Sequence, residues 1–204
     1  MELSRLYAIT DRNLIQSSLG EDIAAAVKGG AGLIQLREKN VTEDEYIAYA
    51  REALAVCRSL GAKLIINDSV SVCAAAGADG VHLGQGDTDP KEARRILGGN
   101  AIIGVTAKTV EQAQRAETDG ADYLGSGAVF GTSTKADAVK MDIETLREIA
   151  ATVSIPVYAI GGINAENISQ LRGSGIYGAA VVSGIFKGDI EKNAARLKEE
   201  VELL

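Results

Sequence analysis

The sequence predicts a single α/β domain over residues 1–204, folded as a (β/α)8 TIM barrel. Three observations carry this reading. Four segments repeat one pattern of helix end, glycine, small residue and apolar run: Gly29-Gly30-Ala31-Gly32-Leu33-Ile34, Gly77-Ala78-Asp79-Gly80-Val81, Gly120-Ala121-Asp122-Tyr123-Leu124 and Gly175-Ile176-Tyr177-Gly178-Ala179-Ala180-Val181. The apolar runs are continuous and do not alternate, as in parallel strands covered on both faces. Between the runs lie helical patterns with start signals, so strands and helices alternate along the chain.

The strands come in order. Leu6-Tyr7-Ala8-Ile9 is the first and Leu33-Ile34 opens the second. Leu64-Ile65-Ile66, the run at Val81, Ile102-Ile103-Gly104-Val105, Asp122-Tyr123-Leu124, Val157-Tyr158-Ala159-Ile160 and the run after Gly178 bring the count to eight. Glycine suits the position after a helix, where a short turn feeds the next strand. Thr42 with Glu45 forms a capping box, with Val41 placed to staple onto Tyr46, and Thr109 with Gln112 forms a second box. Asp142 and Asn164 suit N-caps, Pro90 after Asp89 suits a first helical turn, and Pro156 opens a strand without breaking it. A doubly wound open sheet is the alternative architecture. Its dinucleotide-binding version is weakened because no G-x-G-x-x-G follows the first strand.

Composition narrows the function classes. A chain of 204 residues buries roughly 70% of its unfolded surface. Apolar residues are 46% and charged residues 24%, an ordinary globular balance. With 21 basic and 28 acidic side chains the net charge is −7, which disfavours non-specific nucleic-acid binding. An anionic substrate therefore needs a local cluster of cations. Met1-Glu2-Leu3-Ser4-Arg5 leads into a short apolar run that soon meets Thr10-Asp11-Arg12, which is not a signal-peptide pattern. No apolar run is long enough to span a membrane, so a cytoplasmic location is expected. Cys57 and Cys73 sit in helical apolar patterns and read as core residues of a reducing compartment. His82 is the sole histidine, which excludes imidazole-rich metal sites.

In a barrel the chemistry belongs at the C-terminal strand ends. After the second strand, Gln35, Arg37 and Lys39 share one face by strand periodicity, and an arginine fork with a lysine suits a phosphate or diphosphate. After the third and fourth strands come Asn67-Asp68-Ser69 and Gly84-Gln85-Gly86-Asp87. Either aspartate alone is explained as a cap or turn residue. Together, beside Arg37 and Lys39, they make a Mg²⁺ site in the company of a diphosphate. His82 lies within the fourth strand and reads as a packed, hydrogen-bonded residue. Across the barrel, Gly161-Gly162-Ile163 ends the seventh strand with Asn164 capping a helix behind it, and Val182-Ser183 ends the eighth. Those loops form the recurrent phosphate site of this architecture. The stretch from Gly125 to Ala138 follows the sixth strand as a long loop with Thr132, Ser133, Thr134 and Lys135, placed to bridge the two anion sites. A solvated surface loop is its other reading.

Several of these segments together resemble thiamine phosphate synthase: Tyr7-Ala8-Ile9-Thr10-Asp11, Gln35-Leu36-Arg37-Glu38-Lys39, Asn67-Asp68, Val81 to Asp87, Gly131-Thr132-Ser133-Thr134-Lys135 and Ile160-Gly161-Gly162-Ile163. The likeness runs in order over nearly the whole chain. It implies a TIM-barrel transferase that joins a hydroxymethylpyrimidine diphosphate to a thiazole phosphate, with Mg²⁺ as cofactor and diphosphate as the second product. By the same resemblance, Gln35, Leu36, Arg37, Glu38, Lys39 and Asn67 hold the pyrimidine diphosphate, Asp68 and Asp87 hold Mg²⁺, and Lys135 contacts the diphosphate. Thr132, Ser133, Thr134, Gly162, Val182 and Ser183 hold the thiazole phosphate. Arg37, Lys39 and Lys135 carry the catalytic charge. Thr106 is a further substrate-binding residue by this resemblance; it stands where the family usually has serine and keeps the hydroxyl. Lys108 replaces a common histidine, Gly131 a common proline and Gly184 a common alanine.

Three rivals stay open from sequence: a barrel that isomerises a thiazole phosphate, a sugar-phosphate epimerase or isomerase, and a barrel that binds a phosphorylated metabolite without catalysis. The first would not need the Asp68/Asp87 pair, and the second needs a base pair that the sequence does not display. The partners expected are small molecules, with no nucleic acid and no membrane. The oligomeric state is not legible.

Overall fold

The computed structural model describes residues 3–131 and 141–204. Among these, eight parallel strands close into a barrel in sequence order. They are β1 (Leu6–Ile9), β2 (Leu33–Leu36), β3 (Lys63–Asn67), β4 (Gly80–Leu83), β5 (Ile102–Thr106), β6 (Tyr123–Gly127), β7 (Val157–Ile160) and β8 (Gly178–Val181). Closure is made by β1 against β8, with Tyr7 opposite Ala180. The open-sheet alternative is thereby excluded.

The α-helices among the described residues are α1 (Leu19–Lys28), α2 (Glu43–Leu60), α3 (Val70–Ala76), α4 (Pro90–Leu97), α5 (Val110–Thr118) and α6 (Ile143–Thr152), with α7 (Ser183–Phe186) and α8 (Ile190–Val201) after the last strand. Start signals hold in most cases. Thr42 and Glu45 close the capping box of α2, Asp89 caps α4 with Pro90 at its start, and Asp142 caps α6. Two expectations fail. Thr109 caps α5 through the Gln112 N–H, but the Gln112 carboxamide accepts from Lys108 N instead of closing the box. Asn164 does not open an α-helix after β7. Its side chain accepts from Glu166 N and Asn167 N in a turn, and a short 3₁₀ segment, Ile168–Leu171, follows. An Asn side chain that folds back on its own turn competes with helix propagation.

A third difference concerns the sixth strand. Gly125-Ser126-Gly127 was expected in the loop, but it belongs to β6, with Gly127 opposite Ile160 of β7. Low side-chain volume disguises a strand whose inward face must leave room, so β propensity underestimates it.

The core has two layers. One lies between sheet and helices and includes Leu36, Ile66, Val81, Leu124, Ile149 and Leu197. The other fills the barrel and is dominated by Tyr7, Tyr123 and Tyr158 with Ile9, Leu33, Ile65 and Ile102. The tyrosine rings meet edge to face, with centroids 5.4–5.7 Å apart, an arrangement that adds to area burial. Gly104 exists for this layer, because a Cβ there would overlap the Tyr123 ring. Cys57 on α2 and Cys73 on α3 are buried and unbridged. Burial pushes both thiols up to about 12. No helix among the described residues is long and apolar enough to cross a membrane.

Candidate active site

At the C-terminal ends of the strands a cavity of about 150 Å³ opens above the tyrosine layer. Its wall draws on most strands. Arg37 and Gln35 come from the end of β2, Asn67 from β3 and Thr106 from β5, while Gly161 and Gly162 follow β7 and Val182 and Ser183 follow β8. Residues expected on the two sides of the barrel mouth therefore line one space, while Lys39, Asp68 and Asp87 lie outside its lining.

The segment after β2 divides. The strand ends at Leu36, so the period-two expectation for Gln35, Arg37 and Lys39 holds only for the first two. Gln35 points into the barrel, 3% exposed, and its amide nitrogen donates to Tyr7 Oη at 2.6 Å. Arg37 keeps a long contact to Asp11, 3.8 Å, leaving guanidinium donors for an anion. Lys39 instead turns to Asp68, Nζ donating to Oδ2 at 2.8 Å. Two of the expected substrate residues have side chains elsewhere. Leu36 is fully buried in the sheet–helix layer, and its carbonyl accepts from Tyr46 Oη. Glu38 is buried against Arg12, whose Nε donates to it at 2.7 Å and whose guanidinium stacks on Tyr49. Strand alternation explains Leu36, since the neighbour of an inward residue faces outward.

Asp68 and Asp87 converge as expected. Asp68 lies just past β3 with φ 64°, a left-handed conformation that non-glycine residues seldom adopt. Asp87 accepts from Gly84 N at 2.6 Å, which folds the loop after β4 so that its carboxylate reaches Asp68. The two groups respond oppositely. Burial raises both, but the Lys39 ammonium outweighs it at Asp68, whose carboxyl falls below its ordinary value. Burial and the charge of Asp68 carry Asp87 above its own. Two carboxylates competing for one proton form a site that favours a cation. Among the described residues no group of three or more His, Cys, Asp or Glu side chains is arranged to hold a metal ion by itself.

The glycines after β7 have positive φ, 103° at Gly161 and 67° at Gly162, and a Cβ at either would overlap the chain after β6. The backbone turn requires glycine, and it brings both residues to the cavity wall. Beside them, α7 begins at Ser183 directly after β8, and the first turn of a helix leaves N–H groups without intrahelical partners. Thr132, Ser133, Thr134 and Lys135 lie outside the described residues.

Sequence reasoning gave no role to Tyr7 or Tyr123. The signal was present in period two: Tyr7 shares the inward face of β1 with Ile9, and a polar tip on an inward face requires a partner. His82 is hydrogen-bonded as expected, to Tyr123 Oη through Nδ1 and to Thr106 Oγ1 through Nε2. Lys108 also lines the cavity.

The model of the family described as thiamine monophosphate synthase matches residues 6–185. The chain belongs to the thiamine monophosphate synthase family. It is 46% identical over 196 residues to the thiamine-phosphate synthase of Ruminiclostridium cellulolyticum, covering 95% of this chain and 93% of the relative. Thiamine-phosphate synthase 2 of Streptococcus pneumoniae is 45% identical over 202 residues, with 97% and 96% of the two chains covered. Among solved structures, the thiamine phosphate pyrophosphorylase of Pyrococcus furiosus superimposes with a TM-score of 0.89 at 39% identity, over 97% of this chain and 95% of that one. Membership of the thiamine monophosphate synthase family makes the chain a transferase.

Proposed function

We propose that this chain joins 4-amino-5-hydroxymethyl-2-methylpyrimidine diphosphate to 4-methyl-5-(2-phosphoethyl)thiazole, releasing diphosphate and forming thiamine phosphate. The observation that carries the reading is the cavity wall itself. One side offers Arg37 and Asn67 beside the Asp68/Asp87 pair, and the other offers Gly161, Gly162, Val182 and Ser183 with the start of α7. Two anion-binding ends on one cavity match two phosphorylated substrates, and the relatives' names match that chemistry.

The donor set fits Mg²⁺: two oxygen ligands, Asp68 and Asp87, whose mutual competition a divalent cation would relieve, with substrate oxygens and water completing the shell. When bound, the ion supplies positive charge against the diphosphate. The remaining work falls to the protein. Arg37 and Lys39, joined by Lys135, neutralise charge that builds on the departing diphosphate. The cavity holds the thiazole nitrogen within attacking distance of the pyrimidine methylene as the carbon–oxygen bond breaks. The new carbon–nitrogen bond forms there, and diphosphate carries away the electron pair of the broken bond. No protein nucleophile is required, which suits a site whose single imidazole is already committed inside the barrel.

The deciding experiment is one reaction with both substrates and Mg²⁺, beside a second tube containing EDTA. Thiamine phosphate formed only in the metal-containing tube supports the synthase and its metal together. Binding of thiazole phosphate without product would instead support the isomerase or the non-catalytic reading.

A further inference from the structure

Five strands contribute to one hydrogen-bonded chain inside the barrel. Gln35 Nε2 of β2 donates to Tyr7 Oη of β1 at 2.6 Å. Tyr7 Oη and Tyr123 Oη of β6 meet at 2.8 Å. Tyr123 Oη lies 3.1 Å from His82 Nδ1 of β4, and His82 Nε2 lies 3.0 Å from Thr106 Oγ1 at the end of β5. Thr106 stands on the cavity wall.

Counting protons gives this chain a direction. Tyr7 and Tyr123 are 1% and 0% exposed, so neither hydroxyl proton can be given to water, and a buried O–H without an acceptor is costly. An amide nitrogen only donates, so Gln35 occupies Tyr7 as an acceptor. The Tyr7 proton then goes onward to Tyr123, and the Tyr123 proton goes onward to Nδ1. Burial keeps both phenols protonated by raising them above the ordinary tyrosine value. A neutral imidazole whose Nδ1 accepts carries its one proton on Nε2, aimed at Thr106 Oγ1. Thr106 accepts that bond and keeps its own proton.

We propose that Gln35, Tyr7, Tyr123 and His82 are a polarised positioning relay, which locks His82 as the neutral Nε2–H tautomer and so sets the polarity of Thr106, already expected at the substrate from the family resemblance, leaving its hydroxyl proton free to be donated into the cavity. The substrate half of this inference rests on the synthase reading; the tautomer half does not. The opposite polarity requires the Gln35 carboxamide turned about, so that its oxygen accepts from Tyr7. Every proton then reverses, Nδ1 carries the hydrogen, and Thr106 spends its proton on Nε2. The two directions differ at a single observable atom.

Because His82 is the only histidine, a long-range ¹H–¹⁵N correlation spectrum of histidine-labelled protein reads that atom without assignment. A protonated, pyrrole-type Nε2 with a pyridine-type Nδ1 is expected. A protonated Nδ1, or an average of the two tautomers, overturns the relay. In Tyr123→Phe, Nδ1 loses its donor and its pyridine-type ¹⁵N signal should move downfield while Nε2 stays protonated, because the phenyl ring offers an Nδ1–H no acceptor; Tyr7→Phe, which breaks the chain one link earlier, should move that signal by less and serves if the first variant does not fold. An unchanged Nδ1 signal in a folded variant shows that Tyr123 does not donate to it and overturns the relay. For the donor, calorimetry with the pyrimidine diphosphate and with the thiazole phosphate should show roughly tenfold weaker binding of one of them to Thr106→Val, and near-normal binding to Thr106→Ser. Unchanged affinity for both in Thr106→Val overturns the donor role. A wild-type protein that binds neither compound refutes the synthase reading and the donor role with it, while the tautomer result stands separately.

Discussion

The hydroxyls of Tyr7 and Tyr123 meet at 2.8 Å in the centre of the barrel, although 116 positions separate them in the chain. They belong to a set of tyrosines, with Tyr46 and Tyr158, whose hydroxyls burial raises above the ordinary value of 10.0. The sign of the linkage follows. A raised folded-state value contributes stability that is intact below pH 10 and lost above it, because only the unfolded chain ionises there. Each tyrosine removes about 1.4 kcal/mol per pH unit above that point, and four together rival a total stability of about 5–15 kcal/mol. The chain should therefore unfold within about two pH units above 10, with ionisation of these four tyrosines and loss of circular dichroism in one transition. Because two of the six tyrosines, Tyr49 and Tyr177, are only half-buried, the contradicting result is ionisation of more than two tyrosines while the dichroism is intact.

Gly104 leaves the space that the Tyr123 ring occupies. Gly104→Ala forces the ring aside and should destabilise the fold by about 1–3 kcal/mol, the usual cost of overpacking. Urea unfolding measures it. A variant as stable as the parent would mean that the ring can move freely, against the tight layer described here.

Asp68 has a left-handed backbone and an ion pair with Lys39. Asn tolerates that conformation, so Asp68→Asn separates charge from strain. Turnover should fall by roughly a hundredfold or more, while the melting curve stays within about 1 kcal/mol of the parent, because both partners of the pair are partly exposed. Normal turnover in this variant would rule out the proposed role of Asp68 as a metal ligand.

Cys57 and Cys73 are 0% and 1% exposed, with thiols that burial pushes up to about 12. A disulfide reagent added at neutral pH should leave both unmodified in the native protein and label both in urea, since the thiolate is the reactive form. Rapid labelling of the native chain would show that α2 or α3 opens easily.

Much of the barrel was readable because its signals are local. Thr42 with Glu45 and Asp89 before Pro90 are start signals whose geometry is settled within four residues. The failures share a cause as well. Asn164 carries the composition of a cap, but whether a helix follows depends on the space after β7, which is tertiary information. Gly125-Ser126-Gly127 looks like a loop because strand propensity rewards bulk, whereas this strand is small where His82 approaches Gly125 and where the β7 backbone crowds Gly127. Arg37, Asn67, Gly162 and Ser183, singled out by their types and strand ends, all line the cavity. Leu36 and Glu38 were carried along by a contiguous motif, and only the direction of each side chain separates them from their neighbours. The tyrosine–histidine chain was not legible because its members come from distant strands and its logic lies in the count of protons.

The pairing of β1 with β8 has a consequence for synthesis on the ribosome. β1 meets β2 early, but its other edge has no partner until Gly178–Val181 emerges, more than a hundred residues later. At roughly 5–20 residues per second, that edge stays open for on the order of ten seconds. An open strand edge invites pairing with another chain. Crowded polysomes, where neighbouring nascent chains expose the same edge together, are the setting in which this barrel is most exposed to mispairing.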